Sequence, residues 1–179
     1  MPVQVHSPCK LPPSALDDDC PVAQEHPIVF SQKSIRDIIS GTKTVTRRVY
    51  RDKPGKHIGW TTTGEIVIEA SDGEKYWVDC PYGNLGDLLW VRENWTRSDG
   101  SKGSARYMPK AKARLWLQIT DITISKLGDM TDQDAHAEGY PTLDAYKTEW
   151  HRLNAKRGFP WRDHQLVWVL TFQIYQWRN

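Results

Sequence analysis

A helical pattern that stops at one glycine and turns at once into an extended, basic run restricts the fold of this chain more than any other feature. Ser34 to Ser40 is the body of a short helical pattern, Ile35, Ile38 and Ile39 form its apolar stripe, and Ser31 stands where a side chain caps a first turn. Gly41 follows, and glycine takes the left-handed backbone that ends a helix at little cost. From Gly41 to Arg48 the chain then places a lysine, three threonines and two arginines in eight residues. If Thr42 to Val49 is extended, Thr42, Thr44, Thr46 and Arg48 share one face, and Lys43, Val45 and Arg47 the other. A strand thus separates Lys43 from Thr46, whereas a loop-to-strand transition near Lys43 lets them act together. On composition alone the run reads as a basic, solvated turn and strand.

The remaining elements follow from periodicity. Met1 to His26 holds five prolines and the aspartates Asp17 to Asp19, and reads as a flexible arm (residues 1–26) ahead of one domain (27–179). Pro27 to Phe30 is a strand. Lys53-Pro54-Gly55-Lys56 is a loop. Glu65 to Ala70 and Lys75 to Asp79 are short strands about an Asp72-Gly73 turn. Cys80-Pro81-Tyr82-Gly83 is a turn, and Gly86-Asp87 introduces a strand from Leu88 to Glu93. Ser98 to Gly103 reads as a mobile loop. Arg114 to Ser125 alternates, with a phase slip at Asp121 that implies a bulge. Thr131 opens a short helix, with Asp134 placed for a reciprocal cap, that carries His136 and Glu138 and stops at Gly139. A second helix, Leu143 to Lys156, presents Leu143, Tyr146, Trp150 and Leu153 on one side, and Leu166 to Tyr175 is the closing strand. The order predicts an α+β fold on a mainly antiparallel, barrel-like sheet.

Composition narrows the functions. The net charge is +2, so no global field announces a polyanion partner, but Lys43, Arg47, Arg48, Arg51, Lys53 and Lys56 cluster, as do Lys102, Arg106, Lys110, Lys112 and Arg114. The nine tryptophans and seven tyrosines fill a core, with a minority free to stack on a base. Three cysteines (Cys9, Cys20 and Cys80) without a secretory pattern imply reduced thiols and a cytoplasmic protein. No apolar run reaches the roughly 18 residues of a membrane span. His57, His136, His151 and His164 form no cluster at ligand spacing, so no metal or cofactor is expected.

Gly41-Thr42-Lys43-Thr44-Val45-Thr46-Arg47-Arg48 resembles the G-x-K-x-x-T-x-R signature of the ASCH domain family. Gly86-Asp87 is similar to that family's later G-D turn, and Thr131 to Gly139, with Ala135 and Glu138, is similar to its acidic helix. The resemblance runs from about Ile28 to Ile174, and Trp90 to Trp95 resembles long members from phages and prophages. It implies a PUA-like β-barrel with flanking helices and an association with RNA. Some small members are amidohydrolases that remove the acyl group from the exocyclic amine of acetylcytidine, and their lysine, threonine and glutamate match Lys43, Thr46 and Glu138; the arginine after the threonine matches Arg48. The arm, the insert between Arg51 and Pro81, and the loop after Trp95 depart from those small members.

This resemblance implies an amidohydrolase that removes the acyl group from the exocyclic N4 amine of an acylated cytidine, as nucleoside, nucleotide or base. A non-catalytic RNA-binding module and a metal-independent ribonuclease are the alternatives. Amide hydrolysis needs a nucleophile, a proton acceptor and a stabilised oxyanion. In one assignment Thr46 attacks and neutral Lys43 is its base; the amine then has to titrate roughly 3 below its ordinary 10.4 or so, a cost of about 4 kcal/mol. Arg47 and Arg48 favour that neutral form and Glu138 opposes it. In the other, Glu138 activates a water, charged Lys43 holds the oxyanion, and Thr46 binds substrate. Arg47, Arg48, Tyr82, Arg92, Glu93 and Trp95 are the candidate substrate-binding residues, with ion pairing for Arg92 and Glu93, and burial for Tyr82 and Trp95, as the structural readings. The partners implied are a small modified nucleoside and, in the alternatives, RNA; no membrane partner is expected.

Overall fold

The computed structural model describes residues 23–51, 56–60, 66–70, 75–77 and 80–178, the segments between 56 and 77 by backbone alone. Residues 1–22, which include most of the expected arm, and the expected turns at Lys53–Gly55 and Asp72-Gly73 lie outside the described residues.

The strands are β1 (Glu25–Val29), β2 (Val45–Val49), β3 (Lys56–Trp60), β4 (Ile66–Ala70), β5 (Lys75–Trp77), β6 (Leu88–Arg92), β7 (Trp95–Thr96), β8 (Lys102–Gly103), β9 (Leu115–Lys126) and β10 (Leu166–Trp177). The helices are α1 (Gln32–Ile39), α2 (Asp132–Ala137) and α3 (Leu143–Asn154). A five-stranded sheet runs β1-β6-β9-β10-β2, antiparallel except for the β1–β6 pair, and β3-β4-β5 form a separate antiparallel sheet. The α+β, mainly antiparallel plan is thus the observed one. Its ladder does not close into a barrel among the described residues: β1 and β2 are the two edges, and what spans them is the Arg48 side chain, whose Nη2 donates to Val29 O at 2.8 Å.

The sheet is apolar on both faces where β10 runs. Trp168, Leu170 and Phe172 point into the main core with Ile28, Ile35, Leu89, Leu117 and Ile124, while Val167 turns to the other face with Tyr146, Trp150 and Ala135 of the helical layer. This is period two expressed in one strand. The expected slip in β9 is a bulge. Ile119 faces Phe172 and Asp121 faces Thr171, so Thr120 is passed over, and Leu115, Leu117, Ile119, Ile122 and Ile124 all reach the core.

Three elements differ from expectation. The first strand begins at Glu25, ahead of Pro27, because Glu25 and His26 already pair with Leu88 and Leu89 of β6. Residues 56–60, partly read as loop, form β3 against β4. Residues 98–103 are not a formless loop but the turn and return strand of the β7–β8 hairpin, closed by Arg97 N–H to Ser101 O at 2.8 Å.

Candidate active site

The site is assembled by two short stretches that pair at a single bridge. Ser31 caps α1 through the Ser34 N–H, and Gly41, at φ +79°, ends it. The chain then leaves the helix while held by Lys43 N–H to Asp37 O at 2.9 Å. Thr131 and Asp134 cap α2 reciprocally, and Glu138 closes that helix before Gly139 turns left-handed at φ +84°. Lys43 and Glu138 meet as an isolated antiparallel bridge, with Thr44 N–H donating to Ala137 O at 2.9 Å. Backbone hydrogen bonds therefore fix both functional side chains before their own contacts are counted.

The Lys43 ammonium is 4% exposed and the Glu138 carboxylate 3%. Lys43 Nζ donates to Glu138 Oε2 at 2.5 Å, to Val45 O at 2.9 Å and to Glu138 O at 3.1 Å. Three acceptors around one nitrogen match the three N–H bonds of an ammonium. Burial nevertheless holds Lys43 below its ordinary lysine value; Glu138 acts against that, and Arg48 and Arg47 act with it. The other carboxylate oxygen, Oε1, accepts from Tyr146 Oη at 3.3 Å and lies 3.5 Å from Arg47 Nη1. Burial, reinforced by Glu138, pushes the Tyr146 phenol well above its ordinary value, which keeps it a donor. Arg47 in turn gives Nη2 to Asp134 Oδ1 at 2.6 Å.

This cluster forms one wall of a cleft of about 1100 Å³. Lys43, Thr46, Arg47 and Arg48 come from the bridge and β2; Phe30 and Trp168 line the sheet side; Tyr146, Trp150 and Arg157 belong to or follow α3; Tyr82 comes from the Cys80–Gly83 turn. That volume is of the size that takes a nucleoside-scale ligand. Thr46 is 4% exposed and lines the same cleft as the ion pair, so the loop-to-strand transition at Lys43 does bring amine, hydroxyl and carboxylate to one cleft.

Of the other candidates, Arg47, Arg48 and Tyr82 line the cleft, whereas Arg92, Glu93 and Trp95 do not. Glu93 is buried and takes Arg114 through Nε at 2.5 Å and Nη2 at 2.9 Å, and Gln32 at 2.8 Å. Those hydrogen bonds, the Arg114 one foremost, hold its carboxyl below the usual range. Arg92 rests over Trp90 at 4.6 Å, and the Trp95 ring lies against Gly103, where a side chain would have no room. These three residues organise the strand end and its hairpin. Asp87 does similar work: its carboxylate accepts from Gln24 N–H at 2.8 Å and Asn84 N–H at 2.7 Å, which fixes the turn into β6. His136 bonds Pro141 O at 2.7 Å outside the cleft. Sequence reasoning missed Tyr146 and Phe30 as cleft residues. The signal for Tyr146 was a hydroxyl on a helical stripe expected to be buried, since a buried phenol finds a partner.

No family model matches this sequence and no curated protein does. Three solved structures follow a similar course. An ASCH domain from Lactobacillus crispatus JV V101 is 16% identical, with a TM-score of 0.46 over 84% of this chain and 79% of that one. Protein EF3133 from Enterococcus faecalis V583, of family-model DUF984, is 14% identical, with a TM-score of 0.45 over 87% of this chain and 77% of that one. Hypothetical protein PH0355 is 10% identical, with a TM-score of 0.47 over 84% and 99%. These are distant likenesses of backbone course, one of them to a member of the family that the Gly41–Arg48 run resembles. Among the described residues no helix is long and apolar enough to cross a membrane.

Proposed function

We propose that this cleft hydrolyses the amide on the exocyclic N4 of an acylated cytidine. The observation that carries the reading is the buried Lys43–Glu138 pair on the wall of a cleft that Thr46 also lines. A buried ion pair adds little net stability over well-packed apolar residues. Charged groups with displaced titration, held in a cleft, are what proton-transfer chemistry needs. The motif resemblance points the same way and names the substrate class.

The three acceptors around Lys43 Nζ favour the assignment in which it is charged. Glu138 takes a proton from a water as the oxygen attacks the acyl carbonyl. As the carboxylate becomes a carboxylic acid its hold on Lys43 weakens, which frees an N–H for the developing oxyanion. The C–N bond then breaks, and the same proton passes to N4, giving cytidine and the free acid. Tyr146 and Arg47 hold Glu138 in orientation, Tyr82 offers a face for the pyrimidine, and Thr46 hydrogen-bonds the substrate.

Incubation with N4-acetylcytidine and analysis of the products tests this. Cytidine and acetate are expected in equal amounts. Thr46→Ala is expected to lower kcat/KM about tenfold, the loss of one hydrogen bond of ordinary strength. An acyl ester trapped on Thr46, or a completely dead Thr46→Ala that keeps its fold, overturns the water assignment in favour of a threonine nucleophile. Absence of turnover together with salt-sensitive RNA binding overturns the enzyme reading and supports a binding module. Cleavage of unmodified RNA that persists in chelator and stops in Lys43→Ala supports a ribonuclease.

A further inference from the structure

We propose that the cleft also holds a phosphate subsite made by Arg48, Arg51 and Arg157, so that its substrate is a phosphate-bearing acylated cytidine in preference to the free nucleoside. This rests on the reading of the cleft given above and specifies its substrate.

The charge balance of the lining leads there. Five cationic side chains and two carboxylates line the cleft, in a chain whose net charge is only +2. Most of these charges are answered. Lys43 pairs with Glu138, Arg47 pairs with Asp134, and Glu149 takes Arg152 through two contacts of 2.6 Å. Arg48, Arg51 and Arg157 are left without a carboxylate at ion-pair distance among the described residues.

Their placement is that of a receptor. Arg48 has one Nη2 bond to Val29 O, and its Nε is buried with no hydrogen-bond partner. Arg157 Nη1 donates to Asn154 Oδ1 at 3.4 Å. The Arg51 guanidinium lies 5.6 Å from the Phe159 ring, and Phe159 N–H donates to Asn154 O at 3.1 Å, so Arg51 and Arg157 flank the same small structure. Burial holds Arg48 below its ordinary value; Tyr82, Glu138 and Tyr146 act against that, and Arg157 acts with it. Forked guanidiniums bind phosphate oxygens in pairs.

The test compares N4-acetylcytidine, its 5′-monophosphate and a short RNA carrying one acetylcytidine, using the full chain. The expected result is a kcat/KM at least tenfold higher for phosphate-bearing substrate. That ratio should fall toward one in the double variant Arg51→Ala/Arg157→Ala, whose two side chains are exposed and not part of the core. Preference for the RNA over the monophosphate assigns the phosphate to a phosphodiester, preference for the monophosphate assigns it to a monoester, and equality means that both are taken; all three support the subsite. Turnover of all three at equal kcat/KM overturns it and leaves the proposed function standing. If none is turned over, calorimetric titration with cytidine and cytidine monophosphate decides. Monophosphate binding at least tenfold tighter, and lost in the double variant, supports the subsite while the hydrolytic reading fails; equal or absent binding overturns both.

Discussion

At the scale of single residues, environment and not identity separates the groups proposed to do chemistry from those that hold the fold. Glu93 and Glu138 are both buried glutamates with a cationic partner. Glu93 is wrapped by Arg114 and Gln32 away from the cleft, and Glu138 faces it beside an amine that burial works to discharge. Periodicity and composition around the two residues do not distinguish them, because the difference lies in what the fold brings from elsewhere; only the motif resemblance singled out Glu138. Cys80 makes the same point for a thiol. Burial pushes it up to about 11, against an ordinary 9.0. With Cys9 and Cys20 replaced by serine, Cys80 is therefore expected to react with iodoacetamide at pH 8 about 100-fold more slowly than an unfolded control, because the thiolate is the nucleophile. Labelling at the control rate would contradict the burial.

At the scale of elements, the site depends on how two short helices end. Gly41 and the Thr131–Asp134 box were legible because caps are local: a few residues of one stretch decide them. The bulge in β9 was legible for the same reason, as a break in period two. The parallel β1–β6 pair, strand β3 and the Lys43–Glu138 bridge were not, since periodicity says which residues are buried but not against what. The motif resemblance supplied the bridge's two partners without their geometry. Because α2 presents Glu138, its cap bears on the site. Thr131→Ala removes the acceptor of Asp134 N–H and the hydroxyl that holds Asp134 Oδ2 at 2.7 Å. It is expected to cost about 1 kcal/mol and lower Tm by about 2–4 °C, with Thr131→Ser restoring most of it, as read by calorimetry. An unchanged Tm would mean that α2 is held by its packing on α3 alone.

At the scale of the whole molecule, the chain concentrates its positive charge at one cleft while staying near neutral overall. Near-neutrality favours a small substrate over a long polyanion, since extended phosphate contact calls for more positive charge. The charge balance of the lining refines that: a small substrate and a phosphate are compatible when three of the arginines that line the cleft have no carboxylate at ion-pair distance among the described residues. Two-sided burial of β10 makes this possible, because the sheet supports the main core on one face and the helical wall of the cleft on the other. Hydrolysis of an acylated cytidine by the Lys43–Glu138 pair, as proposed, requires the Glu138 carboxylate, and Glu138→Gln removes it. The glutamine keeps the shape: its one carbonyl oxygen can accept from Lys43 and its amide N–H can donate to the Tyr146 oxygen, but it cannot take a proton from water. With the fold verified by its melting curve, kcat/KM for N4-acetylcytidine is expected to fall about 10²–10⁴-fold. A folded Glu138→Gln that retains activity within about threefold of the wild type, a difference of only about 0.7 kcal/mol in barrier, would contradict the claim and move the chemistry elsewhere.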